Sequence, residues 1–185
     1  NRIEREDFFD YIDLYIKQKN ELKSSTKQDY RQTQCTIRQF EADTGYLVSF
    51  ESINLDFYNR FKDYMLNSLK HSINTFGKRI KMIKSIMNYA TEMGVNKNLE
   101  YQKKSFKVLN EKVSRIYLST DEVNSLYDLE LNETLNKSRD IFVLMCYLGI
   151  RFSDYKRITK NNIHYAYLDI VMQKTNEAVL SLIHI

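Results

Sequence analysis

A chain of 185 residues, 43% hydrophobic and 28% charged, has the make-up of a globular protein with room for one ordinary domain or two small ones. Its formal charge of +4 permits a nucleic-acid partner without demanding one, so any electrostatic footprint has to come from clustering. No apolar run approaches the roughly 20 residues needed to cross a bilayer, no signal-type apolar core follows the charged amino terminus, and Cys35 and Cys146 lie far apart without zinc spacing. These features argue against a membrane protein or a metal-stapled module, and the chain reads as cytoplasmic with both thiols reduced and structural.

Over residues 7–19, Phe8, Tyr11, Ile12, Tyr15 and Ile16 recur at spacings of three and four, which predicts an amphipathic helix ending in the polar stretch 20–25. Ser25 or Thr26 can cap a second helix with Tyr30, Thr33, Ile37 and Phe40 inward and a stop at Thr44-Gly45. After a connector at 48–53, a third helix opens behind Asn54 or Leu55 and turns Phe57, Phe61, Tyr64, Met65 and Leu69 inward. Residues 68–74 read as a polar loop. The fourth helix, 75–93, carries Phe76, Ile80, Ile83, Met87 and Ala90 on one stripe, with Lys78 and Lys81 opposite, Arg79 and Lys84 flanking, and Gly94 closing it. These four helices predict a compact bundle.

The Lys/Ser-rich run 96–113 lacks periodicity and reads as a linker toward a second unit, with the boundary estimated near 108–116. Beyond it, Ser119 or Thr120 caps a helix whose first turn holds Asp121 and Glu122, where the helix dipole favours negative charge. A buried helix over 136–148 and a short polar helix over 153–159 follow. Residues 167–172 and 178–183 flank the polar turn Gln173-Lys174-Thr175-Asn176-Glu177 as a β-hairpin.

The segment Leu144-Met145-Cys146-Tyr147-Leu148-Gly149-Ile150-Arg151-Phe152-Ser153-Asp154-Tyr155 runs an apolar helix into Gly, then Arg, then a helix-opening Ser-Asp pair. Taken alone, Arg151 is either a surface arginine satisfying free carbonyls at a helix end or a guanidinium aimed at a phosphate. The wording resembles the first active-site arginine motif of tyrosine recombinases, the phage-integrase family. Leu118-Ser119-Thr120-Asp121-Glu122-Val123, Arg139-Asp140-Ile141-Phe142 and a hairpin Lys174 stand in the family's order. Asn74-Thr75-Phe76-Gly77-Lys78-Arg79-Ile80-Lys81-Met82-Ile83-Lys84 and Asn88-Tyr89-Ala90 likewise resemble the helical core-binding domain of integrases from mobile elements of Bacteroides-type bacteria.

The resemblance implies a mainly α fold: a four-helix, SAM-like core-binding domain over 1–108, a linker over 109–115, and over 116–185 the first part of an α+β catalytic domain with a β-hairpin. It implies site-specific DNA recombination through a 3′-phosphotyrosyl link, on duplex DNA, by a homo-tetramer assembled on two sites, with no metal or other cofactor. Arg151 matches the first family arginine, Lys174 the hairpin lysine that protonates the leaving 5′-oxygen, and Asp154 an acid that braces the site. For Lys174 the bland alternative is a solvated turn lysine, and for Asp154 a plain residue of a helix's first turn. Lys78, Arg79, Lys81 and Lys84, with Lys27 and Arg31 beside Lys23, are candidate phosphate contacts, and Thr75, Asn74, Gln28 or Gln32 candidates for base edges.

His71, His164 and His184 do not supply the family's His-x-x-Arg, and none of the 14 tyrosines stands where the nucleophile belongs. The chain, stopping at Ile185 on an apolar strand, is therefore expected to be an incomplete enzyme, and its start at Asn1 hints at a removed arm-binding domain. The rival readings are a non-catalytic helical DNA-binding or regulatory module, in which Arg151 is structural, and a helical protein-interaction domain.

Overall fold

The computed structural model describes residues 3–165 and 167–182 and divides the chain into two compact units, the first running through Val113 and the second beginning at Ser114. Asn1, Arg2, Ala166 and residues 183–185, including His184 and the expected end of the hairpin at Ile183, lie outside the described residues.

In the first unit, α1 (Ile3–Gln18), α2 (Ser24–Thr44), α3 (Leu55–Asp63) and α4 (Ile73–Glu92) are the four expected helices. Phe8, Ile12, Ile37, Phe40, Phe57, Phe61, Phe76, Ile80 and Ile83 are completely buried, so the three-and-four spacing is the core stripe of each helix. Asn54 caps α3 by accepting from the Asp56 and Phe57 amides, and Ser72 caps α4 by accepting from the Thr75 amide. Three expected boundaries move, the first helix opening at Ile3 and not at residue 7. The second helix begins at Ser24 behind Lys23, with no side-chain cap, so Ser25 and Thr26 lie in its first turn. The fourth begins at Ile73, because Ser72 captures the Thr75 amide and draws Ile73 and Asn74 into the helix. Helix α3 runs on as a π-turn, Tyr64–Ser68, which keeps Tyr64 and Met65 in the core. Tyr15, Tyr30 and Ser85 join their hydroxyls in a ring of contacts of 3.1 to 3.2 Å where α1, α2 and α4 meet.

The run 96–113 is no free linker. Tyr101, in a 3-10 turn at Glu100–Gln102, and Phe106 are buried in the first unit's core, and Tyr58 donates to the Lys107 carbonyl at 2.9 Å. The Asn98 amide group donates to the carbonyls of Phe50, Glu51 and Ile53, and the Asn74 side chain both donates to and accepts from the Glu111 backbone. Two aromatic anchors and a set of backbone hydrogen bonds hold this strap without helical periodicity.

The second unit holds α5 (Thr120–Tyr127), α6 (Glu133–Leu148), the one-turn α7 (Phe152–Tyr155) and an antiparallel sheet of β1 (Ile163–His164), β2 (Tyr167–Val171) and β3 (Ala178–Leu182), in that order. The hairpin stands where expected, with Val171 opposite Ala178, and β1 adds a short strand that periodicity is too short to reveal. Ser119 and Glu122 form a reciprocal capping box at α5. The chain is thus mainly α with one small sheet, as expected. Helix α6, however, starts at Glu133 and is not buried: of its residues only Val143 is, while Phe142, Leu144, Cys146 and Tyr147 are exposed. Apolar residues surround this helix on several faces, and the described part of the unit covers few of them. Cys35 is exposed as well, so neither of the thiols expected to be structural is a core residue.

Candidate functional site

The segment around Arg151 is built by a glycine turn. Gly149 adopts the left-handed conformation, φ 64°, and returns its amide to the Met145 carbonyl, ending α6. Ile150 then inserts into a small core with Leu168, Ile170 and Met172 of the hairpin. Arg151 follows in extended conformation as the N-cap of α7, with 46% of its side chain exposed. Burying its neighbour fixes its base while the guanidinium stays accessible.

Asp154 is fully buried, against the expectation that it opens a polar helix. Its Oδ1 accepts from the Gln173 amide at 2.8 Å, and its Oδ2 lies 3.9 Å from Arg151 Nη1. One carboxylate therefore touches both the arginine turn and the hairpin turn, and Lys174, exposed, is the residue after Gln173. Arg157 joins this group, with Nη1 4.0 Å from Asp154 Oδ1 and 3.2 Å from the Val171 carbonyl. Sequence reasoning missed Arg157; its only signal was the three-residue spacing from Asp154 on a helical turn.

The basic candidates of the first unit meet across α2 and α4, where Lys78 Nζ pairs with Asp29 at 2.7 Å. Lys81 and Arg31 are exposed, and Lys27 is half-buried. Thr75, half-buried, shares a 2.9 Å hydroxyl contact with Ser72. Arg79 does not belong to an exposed basic face. It is 6% exposed, and its Nη1 makes long 3.4 Å contacts with the Asp29 carbonyl and Thr33 Oγ1. Burial lowers its pKa, against the opposing pull of Asp29. Lys84 donates one hydrogen bond to the Phe106 carbonyl at 3.0 Å, and the Asn74 amide both donates to and accepts from the Glu111 backbone. Gln28 and Gln32 are exposed.

Among the described residues, no group of three or more His, Cys, Asp or Glu is placed to hold a metal ion. His71 lies in an exposed loop and His164 stacks on Tyr167 at 4.7 Å. Tyr11, Tyr15, Tyr30, Tyr58, Tyr64 and Tyr101 pack in the core, whereas Tyr117, Tyr127, Tyr147 and Tyr165 are exposed.

The model of the phage integrase SAM-like domain family matches residues 7–108. The chain belongs to that family. Its SAM-like domain is the unit that holds α1 to α4 and the docked strap.

Solved structures extend the likeness to the rest of the chain. A λ integrase tetramer bound to a Holliday junction superimposes with a TM-score of 0.73 at 16% identity, covering 97% of this chain and 51% of that one. A λ integrase dimer bound to a COC′ core site gives 0.73 at 17%, covering 94% and 61%. The Tn1549 transposon integrase in complex with a circular-intermediate DNA gives 0.65 at 12%, covering 95% and 57%. At these identities the likeness is one of fold, and the chain spans between about half and three fifths of those structures. No curated protein matches it. Among the described residues, no helix is long and apolar enough to cross a membrane.

Proposed function

We propose that the chain is part of a tyrosine site-specific recombinase of a bacterial mobile element, acting in the cytoplasm, with a DNA-binding role on residues 1–108 and a catalytic role on 116–185. The observation that carries this reading is the buried Asp154, which ties the exposed Arg151 to the turn that presents Lys174, in a chain of the SAM-like integrase family.

In the proposed reaction, a tyrosine hydroxyl attacks a DNA phosphodiester. The tyrosine oxygen gives up its proton to solvent as the 3′-phosphotyrosyl bond forms, the bond to the 5′-oxygen breaks, and that oxygen takes up a proton. A second 5′-hydroxyl reverses these steps on a new strand, so bond energy is conserved and no cofactor is consumed. Arg151 donates its planar fork to the non-bridging oxygens as charge builds on them. Lys174, an ammonium on an exposed turn, delivers the proton to the leaving oxygen. Asp154 positions both and touches neither reacting atom. Lys78, Lys81, Lys27 and Arg31 meet backbone phosphates, and Thr75, Gln28 and Gln32 reach toward base edges. Arg79 and Lys84 support this surface from within. The relative that is a tetramer on a Holliday junction supports a homo-tetramer on two DNA sites for the whole protein. The wording of α4 supports a source among mobile-element integrases of Bacteroides-type bacteria.

The purified 185-residue chain is expected to bind a duplex with an affinity that falls steeply as salt rises, because phosphate contacts release counterions. It is expected to form no covalent adduct on a nicked suicide duplex, since none of its tyrosines is assigned as nucleophile. In a recombinase that carries this chain together with its nucleophile, Arg151→Ala should slow cleavage by about a hundredfold or more. Salt-insensitive binding would sink the DNA-binding role, and unimpaired cleavage by the variant would leave Arg151 structural, as in a non-catalytic module.

A further inference from the structure

Asp154 holds a charge that its hydrogen bonds do not satisfy. It is fully buried, its Oδ1 accepts one bond, from the Gln173 amide, and its Oδ2 is buried without a hydrogen-bond partner. A buried carboxylate in that position depends on neighbouring cations. Two stand beside it, Arg151 at 3.9 Å and Arg157 at 4.0 Å.

The two arginines differ in what else restrains them. Arg157 leaves α7 one turn after Asp154 and donates to the Val171 carbonyl, at the end of the strand that leads into the Gln173-Lys174 turn. It is fastened to the hairpin whose turn Asp154 also holds. Both side chains are about half exposed, 46% and 49%, but the Arg151 guanidinium makes no hydrogen bond among the described residues. If a phosphate drew Arg151 away and nothing replaced it, Asp154 would be left as a buried, uncompensated charge, and its hold on Gln173 would loosen just when Lys174 has to act.

We propose that Arg157 is a positioning residue of this site: it is the resident counter-charge of Asp154, so that Arg151 can exchange the carboxylate for a DNA phosphate while the hairpin turn stays in place. The proposal rests on the reading of Arg151 as the phosphate-gripping arginine. Two cations share one buried anion, one kept by the fold and one lent to the substrate. Arg157 acts through Asp154 and Gln173 and touches no reacting atom.

The test uses the 185-residue chain and amide hydrogen exchange at Gln173, scored against the β2–β3 ladder amides of the same molecule, with and without a short duplex. Arg157→Gln keeps a donor for the Val171 carbonyl and removes the charge. With duplex bound, it is expected to speed Gln173 exchange by about tenfold relative to the ladder. Arg157→Lys should restore protection to within about twofold, and in an Asp154→Asn background, where the anion is gone, Arg157→Gln should change little. Unchanged Gln173 exchange, an equal loss across the ladder, or an effect that persists with Asn at 154 would each overturn the assignment, the second because it marks mere structural support. The parent reading is checked separately by Arg151→Gln: if duplex affinity does not fall, Arg151 does not grip phosphate, whatever Gln173 does.

Discussion

At the scale of single residues, chemistry and geometry gave competing signals at Arg79. It lies three residues after Phe76 and four before Ile83, so spacing alone places it on the buried stripe of α4, and only its charge argued for the outer face. The structure follows the spacing: a long apolar stem lets the side chain lie in the α2–α4 contact while its head reaches backbone and hydroxyl oxygens. Gly77, two residues earlier, is legible only with the strap in view, since a Cβ there would stand 1.8 Å from the Leu109 carbonyl oxygen. Gly77→Ala is therefore expected to cost about 1 to 3 kcal/mol through forced displacement of the strap, read as a lower urea midpoint. An unchanged midpoint would mean the strap gives way freely. Tyr64 offers a second test. Burial, and then the hydrogen bond to Asp43, push its pKa up to about 12, and burial does the same for Tyr30. Because the folded state holds these protons more tightly than the unfolded chain, their contribution is complete below pH 10 and is lost as pH rises toward 12. Denaturant melts taken up through that window should show stability falling, and Tyr64→Phe should make the fall shallower.

At the scale of elements, α1 to α4 were readable because each buries one stripe and solvates the rest, which is the pattern that periodicity detects. The strap was not, because Tyr101 and Phe106 are isolated anchors and its remaining bonds come from backbone groups that sequence does not display. The arginine turn was readable for another reason: Gly149 marks the helix stop, while the insertion of Ile150 against the hairpin appears only in the structure. What could not be read was Asp154's burial, since its partner is a backbone amide nineteen residues away. Helix α5 carries an element-scale prediction. Glu122 accepts from the backbone and side chain of Ser119, which lowers its pKa, so the capping box is complete above the ordinary carboxylate range and weakens as pH falls through the lowered value. Ser119→Ala should cost about 1 kcal/mol of local stability. Faster amide exchange confined to α5 is the expected result, and unaltered exchange would remove the cap from the account.

At the scale of the whole molecule, the two units differ in how much they bury. The first packs aromatic and aliphatic side chains from Phe8 to Phe106 in one continuous core. The second, among the described residues, relies on Val123, Val143 and the cluster of Ile150, Leu168, Ile170 and Met172, while Ile116, Tyr117, Phe142, Leu144 and Tyr147 remain exposed. Apolar burial is the main favourable term in folding, so a unit with little of it opens at lower cost. Urea unfolding of the 185-residue chain should therefore not be two-state: α5, α6 and the hairpin should lose amide protection at lower urea than α1 to α4. Limited digestion with chymotrypsin should find Tyr117, 86% exposed in the irregular segment before α5, well ahead of the buried tyrosines of the first unit. It should leave a helical product near residues 1–117 that retains Tyr101 and Phe106 in its core. A single transition with coincident loss of protection in both units would show that the second unit draws stability from elsewhere in the chain, and that its sparse core is not what limits it.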